Sequence, residues 1–470
     1  MTGTTGPAVD GRLPGSDQSG QVQANSLQLS LLDDCGSVQF GNAAEVSCLP
    51  AFFQSLPTLK VRFFMSETIP APRPRLASLD QFRGYTVAGM LLVNFLGGYA
   101  ICPRILQHTN DFCSYADTIM PQFLFAAGFA MQLGAARLAL ADRATRWKRI
   151  ARRFIGLSLV AIIWYSFGDW DGIWPQLQSE GLMATLAVVT KRTWFQTLLH
   201  ISVTSLWITP VVGRSIPIRV AWAVGSGLLH IWLSWWFNFD WVNGANGGHS
   251  GIDGGPLGFL TWSVTAITGT VACDIVRSGA SGIVRRLVIW GVLIAGVAYG
   301  LSSLTTLYNI PVREPQGAAL PEWYGPTDSK LAIDPVVPSP QRLQSVQWTW
   351  PEPPFVAPPG KEVRQWNYWM MSQRAGTLTY CLFAAGISLI VLAFFYWFSD
   401  VCGQQVGVFR TFGTNALAAY IFHDIAGWII DPFVTRDSPA TEVLLAFAAF
   451  FCLVYGACRI LEWKKWYVRM

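Results

Sequence analysis

The chain has 470 residues, of which 52% are hydrophobic and only 13% charged, against about 25% charged in ordinary soluble domains. With 22 tryptophans, this balance excludes a soluble or largely disordered protein and predicts an all-α polytopic membrane protein whose first partner is the lipid bilayer. The net charge of +5 is modest, and most Lys and Arg residues sit in short clusters between apolar runs, the pattern of membrane topology and not of a nucleic-acid partner.

Residues 1–64 are polar and rich in Gly, Ser and Gln, without amphipathic period or signal-peptide core. Met65 begins MSETIPAPRPRLASLDQFRG, which reads as a natural cytoplasmic N-terminus. Residues 1–72 are therefore expected to be a disordered extension, spurious or dispensable before Met65. The transmembrane domain is expected over 73–470.

Ten apolar spans follow, at about 85–103, 118–136, 154–168, 193–213, 220–239, 254–273, 287–308, 375–399, 411–430 and 443–458. About 20 residues at 1.5 Å rise cross a bilayer core, so a bundle of about ten transmembrane helices is expected. The loop 137–153 carries Arg137, Arg143, Arg146, Lys148, Arg149, Arg152 and Arg153. Further clusters at Arg214 and Arg219, at Arg277, Arg285 and Arg286, and at the C-terminus fall on the same side if the helices alternate. The richer side is cytoplasmic, which puts both termini inside. The loops at 104–117, 169–192, 240–253, 309–374 and 431–442 then lie outside. The segment 309–374 holds 12 prolines and several tryptophans, and is expected to lie as an extended, partly packed cap over the outer mouth or, alternatively, as a linker.

Nine cysteines show no CxxC spacing, so no metal site is expected. Cys102 and Cys113 bracket the first outer loop, where a disulfide can persist, although two unrelated thiols is the preferred reading.

Polar side chains at membrane depth are expensive and mark functional candidates. Asp80 and Arg83 pair across one helical turn at the inner end of span one, and Asn94 lies in its outer half. His108 follows in the outer loop, with Asp117 nine residues on at the start of span two. Span nine, FGTNALAAYIFHDIAGW, carries Asn415 near its inner end and His423 and Asp424 further out. Each has a plain reading: a helix cap for Asp80, helix bridging for the asparagines, packing for His423, His200 and His230, and a solvated loop for His108. Residue types and spacing alone stop at an outward-facing polar site.

The stretch RLASLDQFRGYTVAGMLLVNF, a loop histidine, YADTIMPQFLFAAGFAM, GIDGGPLGFLTW and the late GTNALAAYIFHD together resemble the heparan-α-glucosaminide N-acetyltransferase family of transmembrane acyltransferases and its bacterial homologues. The likeness covers about residues 73–460. Acyltransferases of the LDGLRG type begin similarly but usually carry histidine where this chain has Asn94. The resemblance implies transfer of an acetyl group from cytoplasmic acetyl-CoA, a co-substrate, to an amino sugar or glycan outside, in a bacterial inner membrane. It implies a catalytic His108 with Asn94 and Asp117 beside it. A histidine suits removal of the acceptor's proton, Asp117 would hold its tautomer, and Asn94, with Asn415, would donate to the oxyanion. Direct transfer is preferred over an acetyl-His108 carrier. Arg149, Arg152 and Arg153 would meet the CoA phosphates, though topology alone also explains them. Two departures leave the acceptor open: Phe195-Gln196-Thr197 replaces a Leu-Gln-Arg of the family, and the 309–374 insertion is unlike the animal enzyme. A transporter or flippase of a polar small molecule is the alternative, a non-catalytic scaffold the third reading, and a homodimer remains open.

Overall fold

The structure, a computed structural model, describes residues 76–244, 250–309, 334–338, 340, 343, 349–359 and 363–467. The expected extension at 1–72 and much of 309–374 lie outside the described residues. Among the described residues every regular element is helical. In chain order these are α1 (Ala77–Leu96), α2 (Ile119–Ala139), α3 (Arg143–Gly168), α4 (Trp170–Glu180), α5 (Leu182–Val188), α6 (Thr197–Ile208) and α7 (Ile216–Leu233). Then come α8 (Phe239–Asn243), α9 (Phe259–Arg277), α10 (Ile283–Ser302), α11 (Leu378–Phe395), α12 (Gly407–Thr414), α13 (Ala416–Ile430) and α14 (Ala440–Trp463).

Seven helices among the described residues are long and apolar enough to cross a bilayer: Ala116–Ala139, Arg143–Gly168, Ile216–Asn243, Gly255–Arg277, Ile283–Tyr308, Leu378–Val401 and Ala440–Trp463. The other three expected spans take different forms. The first becomes α1, which starts at Ala77 and so includes Asp80 and Arg83. Twelve of its twenty residues are buried, because α2, α12, α13 and α14 surround it. A helix enclosed by protein has little need of a lipid-facing surface. The fourth shrinks to the twelve residues of α6, after a π turn at Val189–Thr193. The ninth breaks at Asn415, whose φ of −125° and ψ of 36° interrupt the helix between α12 and α13. The stretch 169–192, expected as a loop, is mostly helical, with the Trp170 and Trp174 rings stacked at 5.5 Å.

Small residues set the closest helix crossings, as they do where apolar lipid offers no hydrophobic drive for association. A Cβ on Gly84 would overlap the Phe409 carbonyl, and one on Gly413 would overlap the Asp80 carbonyl, so α1 and α12 touch backbone to backbone. Gly128 and Gly269 do the same for α2 and α9, and Gly291 and Gly386 for α10 and α11. Arg219 is not a loop cation: it is buried in the first turn of α7, paired with Asp274 and donating to Thr270 Oγ1 at 2.8 Å. Gln132 joins this knot by donating to Asp274 Oδ1 at 2.8 Å.

The described parts of 309–374 pack against the bundle. Arg364 makes two hydrogen bonds to Glu352, at 2.6 and 3.1 Å, and a third to Asn309. Tyr368 is fully buried with its hydroxyl 2.8 Å from His230 Nδ1. This anchoring delivers Gln373 and Arg374 to the start of α11. His200 is wholly buried against the Phe195 and Trp262 rings. Cys102 and Cys113 are free, buried thiols.

Candidate functional site: a polar cavity at His108

A cavity of about 300 Å³ opens where the end of α1, the start of α2, the segment before α6, the loop before α9 and the residues preceding α11 converge. Asn94, His108, Gln196, Asp253, Gln373 and Tyr420 are among its lining residues.

His108 is built into the site by its loop. Its Nδ1 lies 3.0 Å from Asp117 Oδ1, and since a carboxylate can only accept, Nδ1–H donates and Nε2 is left as the basic nitrogen. Asp117 has no solvent exposure and is fixed from several directions. Thr109 Oγ1 and Ser114 Oγ donate to its Oδ2 at 2.9 Å each, and Ser114 N–H at 3.0 Å. From across the bundle, the Tyr380 hydroxyl donates to its backbone carbonyl at 2.6 Å. The imidazole itself is 45% exposed and lines the cavity. Burial opposes its protonation, but the hydrogen bond and charge of Asp117, with Asp253 and Gln373 acting in the same direction, leave its pKa above the ordinary 6.5.

Asn94 faces the same cavity, and its Nδ2 lies 3.2 Å from His423 Nε2. His423 is nearly buried, with Nδ1–H given to the Tyr420 carbonyl. Its Nε2 is also 3.3 Å from Asp424 Oδ1, and Asp424 Oδ2 accepts from Trp164 Nε1 at 2.6 Å. Thus α1 and α13 meet through a chain of polar groups ending on α3. The Tyr420 and Tyr165 hydroxyls, 2.8 Å apart, lie beneath.

The remaining sequence candidates fall elsewhere. Asp80 and Arg83 are at the opposite end of α1 from Asn94, the 14 helical steps from Asp80 to Asn94 spanning about 21 Å. Asn415 is wholly buried at the α12–α13 break, donating to Thr414 Oγ1 at 3.3 Å, and does not line the cavity. Arg149 and Arg153 line a second cavity of about 1010 Å³, whereas Arg152 does not. That cavity lies between the last turns of α2, the start of α3 and the end of α6, and is also bordered by Arg137, Arg143, Arg214 and Arg277. Along α2 the two cavities are separated by the seven helical steps from Phe123 to Ala130, about 10 Å of helix.

Sequence reasoning missed Asp253, Gln373, Arg192 and Tyr420. Asp253 sits within the quoted GIDGG entrance to α9, and an acid at an apolar helix mouth was a readable signal. Gln373 and Arg374 arrive through the long insertion and carried none.

No protein-family model matches the chain, and no characterised protein sequence matches it.

Proposed function

We propose that the protein is a multi-pass membrane acetyltransferase. It would move an acetyl group from acetyl-CoA on the cytoplasmic side to an amino sugar or glycan on the other side, with both termini inside, ten membrane segments and a bacterial inner membrane as its setting. The observation that carries this reading is the His108–Asp117 pair, whose imidazole borders a polar cavity that the Asn94 carboxamide also lines.

On this reading the larger cavity receives the CoA end of the donor. The donor set fits: cationic guanidinium groups for phosphates, apolar walls from Ile150, Phe154 and Leu157, and a volume at the upper end of ordinary ligand pockets. The thioester end would reach the His108 cavity along the seam of α2 and α6. His108 Nε2 takes a proton from the acceptor nitrogen as the N–C bond forms, and returns it to sulfur as the C–S bond breaks. Asp117 holds the imidazole in the required tautomer and favours its charged form. Asn94, oriented by His423, donates to the carbonyl oxygen as negative charge develops. An acetyl group carried on His108 is the rival sequence of steps.

Two cavities stacked along α2 and α6 also suit a transporter of a polar anion. Purified protein in liposomes, given labelled acetyl-CoA and glucosamine, separates the two. The proposal expects acetylated sugar that depends on His108; solute uptake without any acetylated product would favour transport.

A further inference from the structure

Asp253 is the only acid among the described residues that line the His108 cavity. It is 3% exposed. Its Oδ1 accepts a hydrogen bond from Gln373 Nε2 at 3.0 Å, and among the described residues no Lys or Arg forms an ion pair with it. The two arginines bordering the cavity are engaged elsewhere. Arg192 Nη1 donates to the Ser250 carbonyl at 3.2 Å, and the Arg374 guanidinium lies 5.8 Å from the centre of the Trp366 ring.

The backbone holds the acid in place at a cost. Asp253 has φ of +54°, and Gly254 and Gly255 follow at +82° and +58°, so a residue with a side chain sits in the left-handed region. The turn is fixed by Gly254 N–H donating to the Arg374 carbonyl at 2.9 Å and by the Trp262 indole donating to the Asp253 carbonyl at 2.9 Å. A carboxyl buried without a cation is poorly stabilised in its charged form. The cavity therefore offers a strong position for a cationic ligand group or a proton.

We infer that Asp253 is the subsite for the acceptor's amine: it binds the group as an ammonium and takes the proton that frees the nitrogen lone pair. This rests on the acetyltransferase reading and divides the proton work between two residues. R–NH3+ gives one proton to the Asp253 carboxylate and becomes R–NH2. The nitrogen attacks the thioester carbonyl, the N–C bond forms and the C–S bond breaks. The second proton passes to His108 Nε2 and from there to the departing sulfur, while Asp253 releases its proton to solvent. The products are the acetamide and the free thiol.

The titration range of the carboxyl suits the exchange. Burial pushes it up to about 7, opposed by the Gln373 hydrogen bond and the nearby His108 and aided by the charge of Asp117. The other titratable groups around it are Tyr165, Tyr380, Cys381 and Tyr420, with Arg192 and Arg374 at the cavity border.

The test compares binding of glucosamine and of N-acetylglucosamine, which lacks the charge, to wild-type protein and to Asp253→Asn in detergent, alongside steady-state transfer. Wild type should bind glucosamine at least tenfold more tightly than N-acetylglucosamine. Asp253→Asn should erase that preference without weakening N-acetylglucosamine, and should raise KM for glucosamine at least tenfold with KM for acetyl-CoA unchanged. A wild-type protein without the preference, which needs no variant to observe, would overturn the inference, as would a variant that keeps the preference or loses both sugars equally. An Asp253-dependent preference for the amine in a protein that transfers no acetyl group would sustain the amine subsite and sink the acetyltransferase reading.

Discussion

Asn94 and His423, 329 residues apart in the chain, meet across α1 and α13 with Nδ2 and Nε2 separated by 3.2 Å. The contact fixes the carboxamide at the edge of the His108 cavity, and the His423 ring is itself held through Nδ1–H by the Tyr420 carbonyl. If Asn94 serves as the oxyanion donor, its removal is a loss of transition-state binding. Asn94→Ala should lower kcat by roughly 10²-fold or more with little change in KM. His423→Gln, which keeps an acceptor for the carboxamide, should cost far less than His423→Ala. Steady-state kinetics on the three variants checks the ordering; equal effects of the two His423 substitutions would contradict it.

Asp117 should show its role in a pH profile as well as in a rate. Asp117→Asn removes the charge that favours the imidazolium and lets the ring take the wrong tautomer, which costs on the order of 10⁴-fold in kcat where a triad acid is replaced in this way. Because His108 must be unprotonated to act, and because losing Asp117 lowers its pKa, the acidic limb of kcat/KM should move to lower pH. A limb that stays in place would show that another group sets it.

Asp253 makes a prediction about stability that needs no substrate. Its folded-state pKa, about 7, is raised above the ordinary 3.8. Between those values the folded protein binds more protons than the unfolded chain, so stability falls as pH rises from about 4 through about 7. The cost is complete above pH 7 and amounts to roughly 4 kcal/mol. Asp253→Asn should therefore unfold at a higher temperature than wild type at pH 8, with the gap closing toward pH 5. Thermal unfolding in detergent at several pH values measures this directly, and a gap independent of pH would contradict the assignment.

The arginine-lined cavity gives a test with an internal control. Arg149→Ala and Arg153→Ala should each raise KM for acetyl-CoA by about tenfold, the range for losing a charge-assisted hydrogen bond, leaving kcat nearly unchanged. Arg152, on the same helix but outside the cavity, should be replaceable by Ala without effect. An equal response from all three would point to membrane orientation and not to a binding site.

The backbone contact between α1 and α12 predicts a structural failure. Ala at Gly84 or Gly413 puts a methyl group into a facing carbonyl, and overpacking of a close crossing typically costs about 1–3 kcal/mol. Both variants should unfold at lower temperature than wild type, whereas Gly225→Ala, with open space at its Cβ, should not.

Much of this was readable in advance, for physical reasons that also mark where reading fails. Runs without charge located the seven long apolar helices, whether they pack inside the bundle, as Gly255–Arg277 and Leu378–Val401 do, or lie at its surface. The same signal placed the start of α1 eight residues late, at 85 and not at Ala77, and it could not see the break at Asn415, which is a backbone event. Nine residues of loop keep His108 and Asp117 close enough to be paired by eye. No local pattern could pair Asn94 with His423, or bring Gln373 from the far side of a Pro-rich insertion to Asp253.

The central claim is that the unprotonated nitrogen of His108 does the chemistry. Transfer from labelled acetyl-CoA to glucosamine, measured on wild type and His108→Ala of equal unfolding temperature, tests it most directly. The rate should fall by about 10²- to 10⁴-fold, the usual contribution of a general base. A variant that acetylates at the wild-type rate would contradict the mechanism.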